Sequence, residues 1–374
     1  MQAKMKLLVL TSRYTATRDI IEEDFGRQTR LFSALKKLDY EIDFFCADYR
    51  KFENKNTKLH GINVKIRPFS FFYFFDFLKN LNAALKNKKY DALIATSDPL
   101  WGIVGYFFAK KHKIKFIYDL HDNYETYDTY KIPFFSYIDN FVLKKADLLT
   151  TVSYALKDKI KSARSNNVFV VQNGVDINLF RPMNKLECRK KLRLPKDAKI
   201  IAYAGSIQRL QGINLLIDVF VSLRKEIGNL YLVIAGRFYG DEQKFINLDK
   251  EGIIYLGSFA QNDVAKLINA ADVMVVPNPE NEFTKYCFPY KVVEYMACNK
   301  QIVAADVGDV GLLLRKFGNC LCKENDKNDM AEKIKMQLNK NNKKVNYRQL
   351  AIKNSWDNIA VRLDKILKSK ILLR

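Results

Sequence analysis

A chain of 374 residues exceeds what one hydrophobic core ordinarily supports, so two domains are expected. Hydrophobic residues at 48% and charged residues at 28% describe a folded globular protein and exclude wholesale disorder; no window holds the roughly 18 apolar residues that span a bilayer. The formal net charge of +22 asks for a polyanionic neighbour: nucleic acid, an anionic membrane surface or an acidic substrate.

The opening residues 6–10 read as a first β-strand, because the apolar run is too short for a signal peptide. An amphipathic helical pattern follows over 25–38, with Phe25, Leu31, Leu35 and Leu38 on one side. Further strands are expected at 42–46, 92–95, 116–118, 148–152 and 168–171. After a break, the alternation restarts with a strand at 200–204, a helix over 214–227, and strands at 231–235, 253–256, 273–276 and 302–304. Two such runs imply two parallel sheets, each covered by helices on both faces, with ligands outside the carboxyl ends of the strands. The paired phrases at 146–149 and 271–274 hint at related halves.

Six cysteines, three histidines and no Cys-x-x-Cys pair argue against a zinc site or a disulfide framework and for a reducing cytoplasm. Cys320 and Cys322 are expected on one face of a strand. Residues 69–77 carry six phenylalanines and a tyrosine beside Lys65, Arg67 and Lys79. That composition suits either a membrane interface or the packing of a strand-to-helix connection. Near the end, a capped amphipathic helix is expected after Asn354-Ser355, with Ala360, Leu363, Ile366 and Leu367 on its apolar side.

The most informative stretch is 171–182, Val-Gln-Asn-Gly-Val-Asp-Ile-Asn-Leu-Phe-Arg-Pro. The Asn173-Gly174 pair predicts a tight turn, Asp176 a side-chain-to-backbone bond, Phe180 an apolar anchor, and Pro182 a stop to any ladder. This elbow sits near the midpoint, where two domains would join. The stretch resembles the interdomain crossing of the retaining family-four glycosyltransferases of the GT-B fold. That resemblance implies an α/β protein of two Rossmann-like domains with parallel sheets facing across a cleft. The N-terminal, acceptor-binding domain would cover 1–180 and the nucleotide-sugar domain 181–352. Residues 353–374 would form a last helix packing back on the first domain.

Lys291 and Glu294 are three apart and share a helix face in an otherwise apolar segment, with Pro289 suited to the first turn. A buried carboxylate needs donors, and the vicinal hydroxyls of a sugar are suitable; an ion pair with Lys291 is the plainer alternative. The segment 288–298 resembles the family helix whose glutamate holds the donor ribose. Members commonly carry a second glutamate eight residues earlier, where this chain has Tyr286. Gly205, Ser206, Arg209 and Gly212 form a loop between a strand and a helix, a setting whose backbone amides suit a diphosphate. The resemblance makes it the phosphate loop, with Ser206 and Gln211 standing where an Arg and a Lys are usual. Arg209 is then the remaining loop cation and Lys291 a candidate second one.

In the first half, His121 and Asp122 follow a strand amid Asp119 and Glu125, neighbours able to raise the pKa of the imidazole or orient its ring. By resemblance these residues face the acceptor and the transferred sugar, and Phe25-Gly26 corresponds to the acceptor-side glycine loop. The implied reaction moves a hexose from a nucleoside-diphosphate sugar to a glycan or lipid-linked acceptor with retention. No cofactor and no metal are expected, and the enzyme would sit at the inner face of the cell membrane as a peripheral protein. The alternatives are a GT-B sugar-nucleotide 2-epimerase, a GT-B scaffold without activity, or a basic nucleic-acid-binding protein. The last lacks any recognisable binding module, so no nucleic-acid partner is expected.

Overall fold

The computed structural model describes residues 4–15, 18–161, 167–339 and 345–372. The chain divides into two compact units, Met1–Asn173 with Trp356–Arg374, and Gly174–Ser355.

The first unit opens with β1 (Lys6–Ser12), a small antiparallel hairpin of β2 (Tyr14–Thr15) and β3 (Arg18–Asp19), and α1 (Arg27–Lys36). It continues through β4 (Glu41–Asp48), β5 (Lys55–Leu59), β6 (Ile62–Pro68), α2 (Phe74–Asn87), β7 (Ala92–Thr96) and α3 (Pro99–Lys111). Then come β8 (Lys115–Leu120), α4 (Phe135–Lys145), β9 (Leu148–Thr151), α5 (Tyr154–Lys161) and β10 (Val168–Val170). The sheet order is β10-β9-β8-β7-β1-β4-β6-β5, parallel except for β5, which pairs antiparallel with β6. The parallel strands are apolar runs because helices cover both faces. Sequence reading missed β5 and β6: β5 is a lysine-bearing, largely solvated edge, and β6 is not a continuous apolar run but alternates buried Ile62, Val64 and Ile66 with Asn63, Lys65 and Arg67.

The second unit contains α6 (Lys185–Lys191), β11 (Lys199–Ala204), α7 (Ile213–Glu226), β12 (Leu230–Ala235), β13 (Ile253–Tyr255), α8 (Gln261–Ala270) and β14 (Val273–Val276). It is completed by α9 (Tyr290–Ala297), β15 (Gln301–Ala305), α10 (Gly308–Leu314), β16 (Leu321–Cys322), α11 (Lys327–Leu338) and α12 (Arg348–Lys353). Its sheet, β13-β12-β11-β14-β15-β16, is parallel throughout. The last helix, α13 (Trp356–Leu367), belongs to the first unit, where it lies along α1; Tyr40 donates to Asp364 at 2.8 Å and Lys37 pairs with Asp357 at 2.9 Å.

The expected turn at Asn173-Gly174 is displaced. The backbone runs on without a turn there, and the turn falls at 177–179. The Val175 amide donates to the Asn354 carbonyl at 3.0 Å, which keeps the chain extended where an isolated Asn-Gly would bend. Asp176 does bond its own turn, accepting from the Asn178 and Leu179 amides at 3.0 and 3.1 Å, and Phe180 is buried. Pro289 lies one residue before α9, as its N-cap.

Arg189 fastens the base of the second sheet. Fully buried, it donates to the carbonyls of Ala270, Lys196 and Ala198 and pairs with Asp272, which also accepts from the Ile200 amide. Arg189→Met strands those acceptors in the interior and should cost about 3–5 kcal/mol in urea unfolding; a loss under about 1 kcal/mol would show the fastening to be dispensable.

Candidate functional site

Where strand order reverses in a parallel sheet, the two following loops diverge and leave a crevice at the strands' carboxyl ends. In the second unit that point lies between β11 and β14. The loop after β11 carries Gly205, Ser206, Arg209 and Gly212; the loop after β14 leads through Asn278 and Tyr286 to α9. The Tyr203 hydroxyl donates to the Ser206 carbonyl at 2.7 Å and fixes the start of the first loop. Gly212 caps α7 at φ 77, and a Cβ there would lie 1.9 Å from the Pro277 carbonyl oxygen, so only glycine lets the two loops meet. The first amides of α7 thereby open onto the loop.

Helix α9 buries Val292, Val293, Tyr295, Met296 and Ala297, while Lys291 and Glu294 lie half-buried one turn apart. The Lys291 ammonium donates to Gln211 Oε1 at 2.6 Å, Tyr203 Oη at 3.2 Å and Asn278 Oδ1 at 3.3 Å. Asn278 Nδ2 donates to the same Gln211 oxygen at 3.0 Å. All three acceptors of Lys291 are neutral. Burial lowers the pKa of Lys291 to about 8, against the opposing pull of Cys287 and Glu294. It is therefore a mostly protonated amine held by dipoles, an arrangement that leaves its charge available to an anion.

Arg209 is engaged differently. Its Nε and backbone amide both bond Glu242 Oε2, at 3.1 and 3.2 Å, and its guanidinium lies over the Phe245 ring at 4.0 Å. Glu242 thus answers the Arg209 charge, whereas Lys291 reaches Gln211, the very position where the loop has no lysine of its own. Tyr286 is half-buried near the start of α9, with Lys285 over its ring at 5.9 Å.

In the first unit the reversal lies between β1 and β7, with β8 beside β7. Gly26, at φ 96, caps α1, and Phe25 before it lies under the Arg18 guanidinium at 4.2 Å. The next residue, Arg27, is buried and forks onto Asp119 at the end of β8, Nε to Oδ2 at 3.0 Å and Nη2 to Oδ1 at 2.9 Å. Thr150 and Thr96 add hydroxyl bonds to the same carboxylate at 2.7 and 3.1 Å. Burial pushes the Asp119 carboxyl up, but Arg27 and Thr150 more than reverse this and hold it below the ordinary range.

His121 follows two residues later. Its Nδ1 lies 3.3 Å from both Thr96 Oγ1 and Tyr124 Oη. Those hydroxyls each have one proton, and both are directed to Asp119, one to its carboxylate and one to its carbonyl at 3.1 Å. The tautomer that satisfies every group carries the proton on Nδ1 and leaves Nε2 as an acceptor. The acidic neighbours do not raise the pKa of this histidine. Burial lowers it from 6.5 to about 4, outweighing Asp119, whose charge Arg27 already offsets. Burial also pushes Asp122 up to about 7, against the Asn123 amide donating at 2.9 Å.

Sequence reading missed Arg27, Tyr203 and Asn278, whose roles rest on partners many residues away. It also missed Gln28, buried beside Gly26 with no partner for its Nε2 among the described residues. Among those residues no group of three or more His, Cys, Asp or Glu side chains is placed to hold a metal ion.

A histidine kept neutral in the fold links stability to pH. Above pH 6.5 both states leave it uncharged; between 6.5 and about 4 only the unfolded chain takes up the proton, so stability falls as pH drops through that window. The loss should be on the order of 3 kcal/mol and absent from His121→Asn. Parallel pH profiles of the two proteins would contradict the buried neutral imidazole.

Two family models account for most of the chain: Glycosyltransferase Family 4 matches residues 29–179, and Glycosyl transferases group 1 matches 184–355. The putative teichuronic acid biosynthesis glycosyltransferase TuaC of Bacillus subtilis is 27% identical over 50% of this chain and 46% of its own length. The lipopolysaccharide 1,2-N-acetylglucosaminetransferase of Salmonella typhimurium is 25% identical over 54% of this chain and 56% of its own. This chain thus spans about half the length of those relatives, but 91% of an uncharacterized glycosyltransferase of Methanocaldococcus jannaschii, at 24% identity over 90% of this chain. Among solved structures, the sucrose-phosphate synthase of Thermosynechococcus elongatus aligns with a TM-score of 0.78 at 18% identity, over 99% of this chain and 100% of that one. Anabaena HepE in complex with UDP aligns at 0.77 and 19% identity, over 98% and 100%. With both family models matched in chain order and each strand run folded as its own Rossmann-like unit, the chain belongs to the family-four glycosyltransferases of the GT-B fold.

Proposed function

We propose that the protein transfers a hexose from a nucleoside-diphosphate sugar to a glycan or lipid-linked acceptor of the cell surface, with retention and without a resident metal. The observation that carries this reading is Lys291, a half-buried ammonium whose hydrogen bonds among the described residues all go to neutral oxygens, at the strand reversal where the Gly205–Gly212 loop and the start of α7 meet. A diphosphate is the ligand such a site favours: loop amides and the helix dipole donate to its oxygens and the ammonium offsets its charge. HepE was solved with UDP, with UDP and glucose, and with UDP-glucose, which supports a nucleoside-diphosphate hexose as the donor class. The names of the teichuronic acid and lipopolysaccharide relatives support a surface glycan as acceptor.

In this reading the bond from the sugar C1 to the β-phosphate oxygen breaks and the acceptor oxygen bonds to C1. The acceptor proton passes to the departing phosphate. Lys291, the loop amides and α7 stabilise the charge that develops on that phosphate, with Arg209 in a supporting place. Tyr286 lies where sugar or phosphate contacts are made, in place of the usual glutamate. Glu294 accepts from the ribose hydroxyls. His121 Nε2 accepts from a hydroxyl of the transferred sugar, Asp122 lies beside the acceptor hydroxyl, and Phe25, Gly26 and the free Gln28 amide face the acceptor side.

A second reading, a chain that binds nucleotide without transferring sugar, is favoured by the tie of Arg209 to Glu242. Nucleotide binding without any release of sugar from a panel of donors would select it.

Two measurements bear on the donor site. Glu294→Ala should weaken donor binding by an amount consistent with about 1.5–3 kcal/mol, read by calorimetry; unchanged affinity in a folded variant removes Glu294 from the site. Because Lys291 is charged only below about 8, kcat/KM for the donor should fall as pH rises through that value. Lys291→Gln should start lower and show no such fall, whereas a fall that persists in the variant assigns it to another group.

A further inference from the structure

We propose that the helix layer α2–α3–α4 of the first unit is a docking face for an anionic lipid bilayer, which it meets at two separate aromatic points. The crossovers β6 to β7, β7 to β8 and β8 to β9 all step the same way across the sheet, so their right-handedness puts α2, α3 and α4 on one face. Ring contacts run through the layer: Phe77 of α2 against Trp101 of α3 at 5.3 Å, and Tyr106 of α3 against Phe141 of α4 at 5.8 Å.

The phenylalanine cluster of 69–77 serves two ends. Phe77 is 1% exposed, and Phe69 packs on Trp101 at 4.8 Å, so these rings anchor the segment in the core. Phe71, Phe72 and Phe75 stand outward at 90%, 88% and 80% exposure. The second point has no counterpart in the sequence pattern: Phe134 and Tyr137, at the start of α4, are 81% and 78% exposed. Phe134 holds φ at 63, a conformation that a bulky side chain gains nothing from by itself. Rings this exposed are unfavourable in water and suited to the headgroup boundary.

Charge selects the occupant. Lys79, Lys86, Lys110, Lys111, Lys144 and Lys145 are exposed on these three helices. Residues 99–118 contain no Asp or Glu, and 129–146 contain only Asp139, which is fully buried; Asp76 is the one exposed carboxylate on the three helices. A second copy of the chain would set these lysines against their own kind. An anionic bilayer neutralises them while each aromatic point enters the interface.

The test is flotation of the full chain with phosphatidylglycerol-containing or pure phosphatidylcholine vesicles. We expect binding to the anionic vesicles, at least about tenfold weaker binding to neutral ones, and weakening with salt. Phe71→Ser/Phe72→Ser/Phe75→Ser and Phe134→Ser/Tyr137→Ser should each lower binding about tenfold. Lys110→Gln/Lys111→Gln/Lys144→Gln/Lys145→Gln should lower it on anionic vesicles alone. All these side chains are exposed, so an unchanged Tm is expected and checked for each. A wild type that leaves vesicles unbound overturns the proposal, as does binding indifferent to the Phe134/Tyr137 pair. Tighter binding to a single-stranded oligonucleotide than to the anionic vesicles, or a dimer abolished by the same substitutions, gives the face to another occupant and equally overturns it.

Discussion

Arg27 and Lys291 are both withdrawn from bulk water, and the contrast in how the surroundings answer them organises the chemistry of the two units. Arg27 meets a full countercharge. Its fork onto Asp119 satisfies both partners, and its remaining donors reach the Gln172 carbonyl and Asn173 Oδ1 at 3.2 and 3.3 Å. One buried pair therefore fixes the start of α1, the end of β8 and the end of the first unit's first segment. Lys291 hydrogen-bonds only to dipoles among the described residues, with the pull of Cys287 and Glu294 too weak to offset its burial. Its folded state is stable enough to form, yet its charge is left for a ligand to complete.

That difference underlies the proposal that the second unit handles phosphate. In the first unit the Arg27 charge is answered within the fold, and the groups around it are a neutral imidazole, a carboxyl with a raised pKa and a Gln28 amide nitrogen with no partner among the described residues. Such groups suit hydroxyls. In the second, a loop closed by Gly212 and a helix start are joined by an ammonium. Such groups suit an anion. Gln211, which by resemblance stands where a lysine is usual, accepts from Lys291, so in the proposed site the cation comes from α9 and not from the loop.

The strand-helix alternation was legible because buried parallel strands leave apolar runs that need no partner to be recognised, and 273–276 is a strand as expected. The pair β5–β6 was not, since β5 is a solvated edge and β6 alternates apolar with polar residues instead of forming an apolar run. At the crossing the residues were read correctly but the turn was misplaced, because the Asn354 carbonyl that holds Val175 extended lies far along the chain. His121 was legible as a candidate; its protonation was not, because it depends first on burial in the fold and then on Arg27 offsetting Asp119. Lys291 and Gln211 were both noticed, yet nothing in a linear reading brings together residues 80 positions apart.

The most direct test of a phosphate cation supplied from α9 is to exchange the two side chains. Nucleoside-diphosphate affinity would be measured by calorimetry for the wild type, for Lys291→Gln, and for Lys291→Gln with Gln211→Lys. If the ammonium's position at the loop is what matters, the single variant binds at least about tenfold more weakly and the exchange recovers most of the loss. An exchange variant that stays as weak as the single one, or a single variant that binds like the wild type, would contradict it.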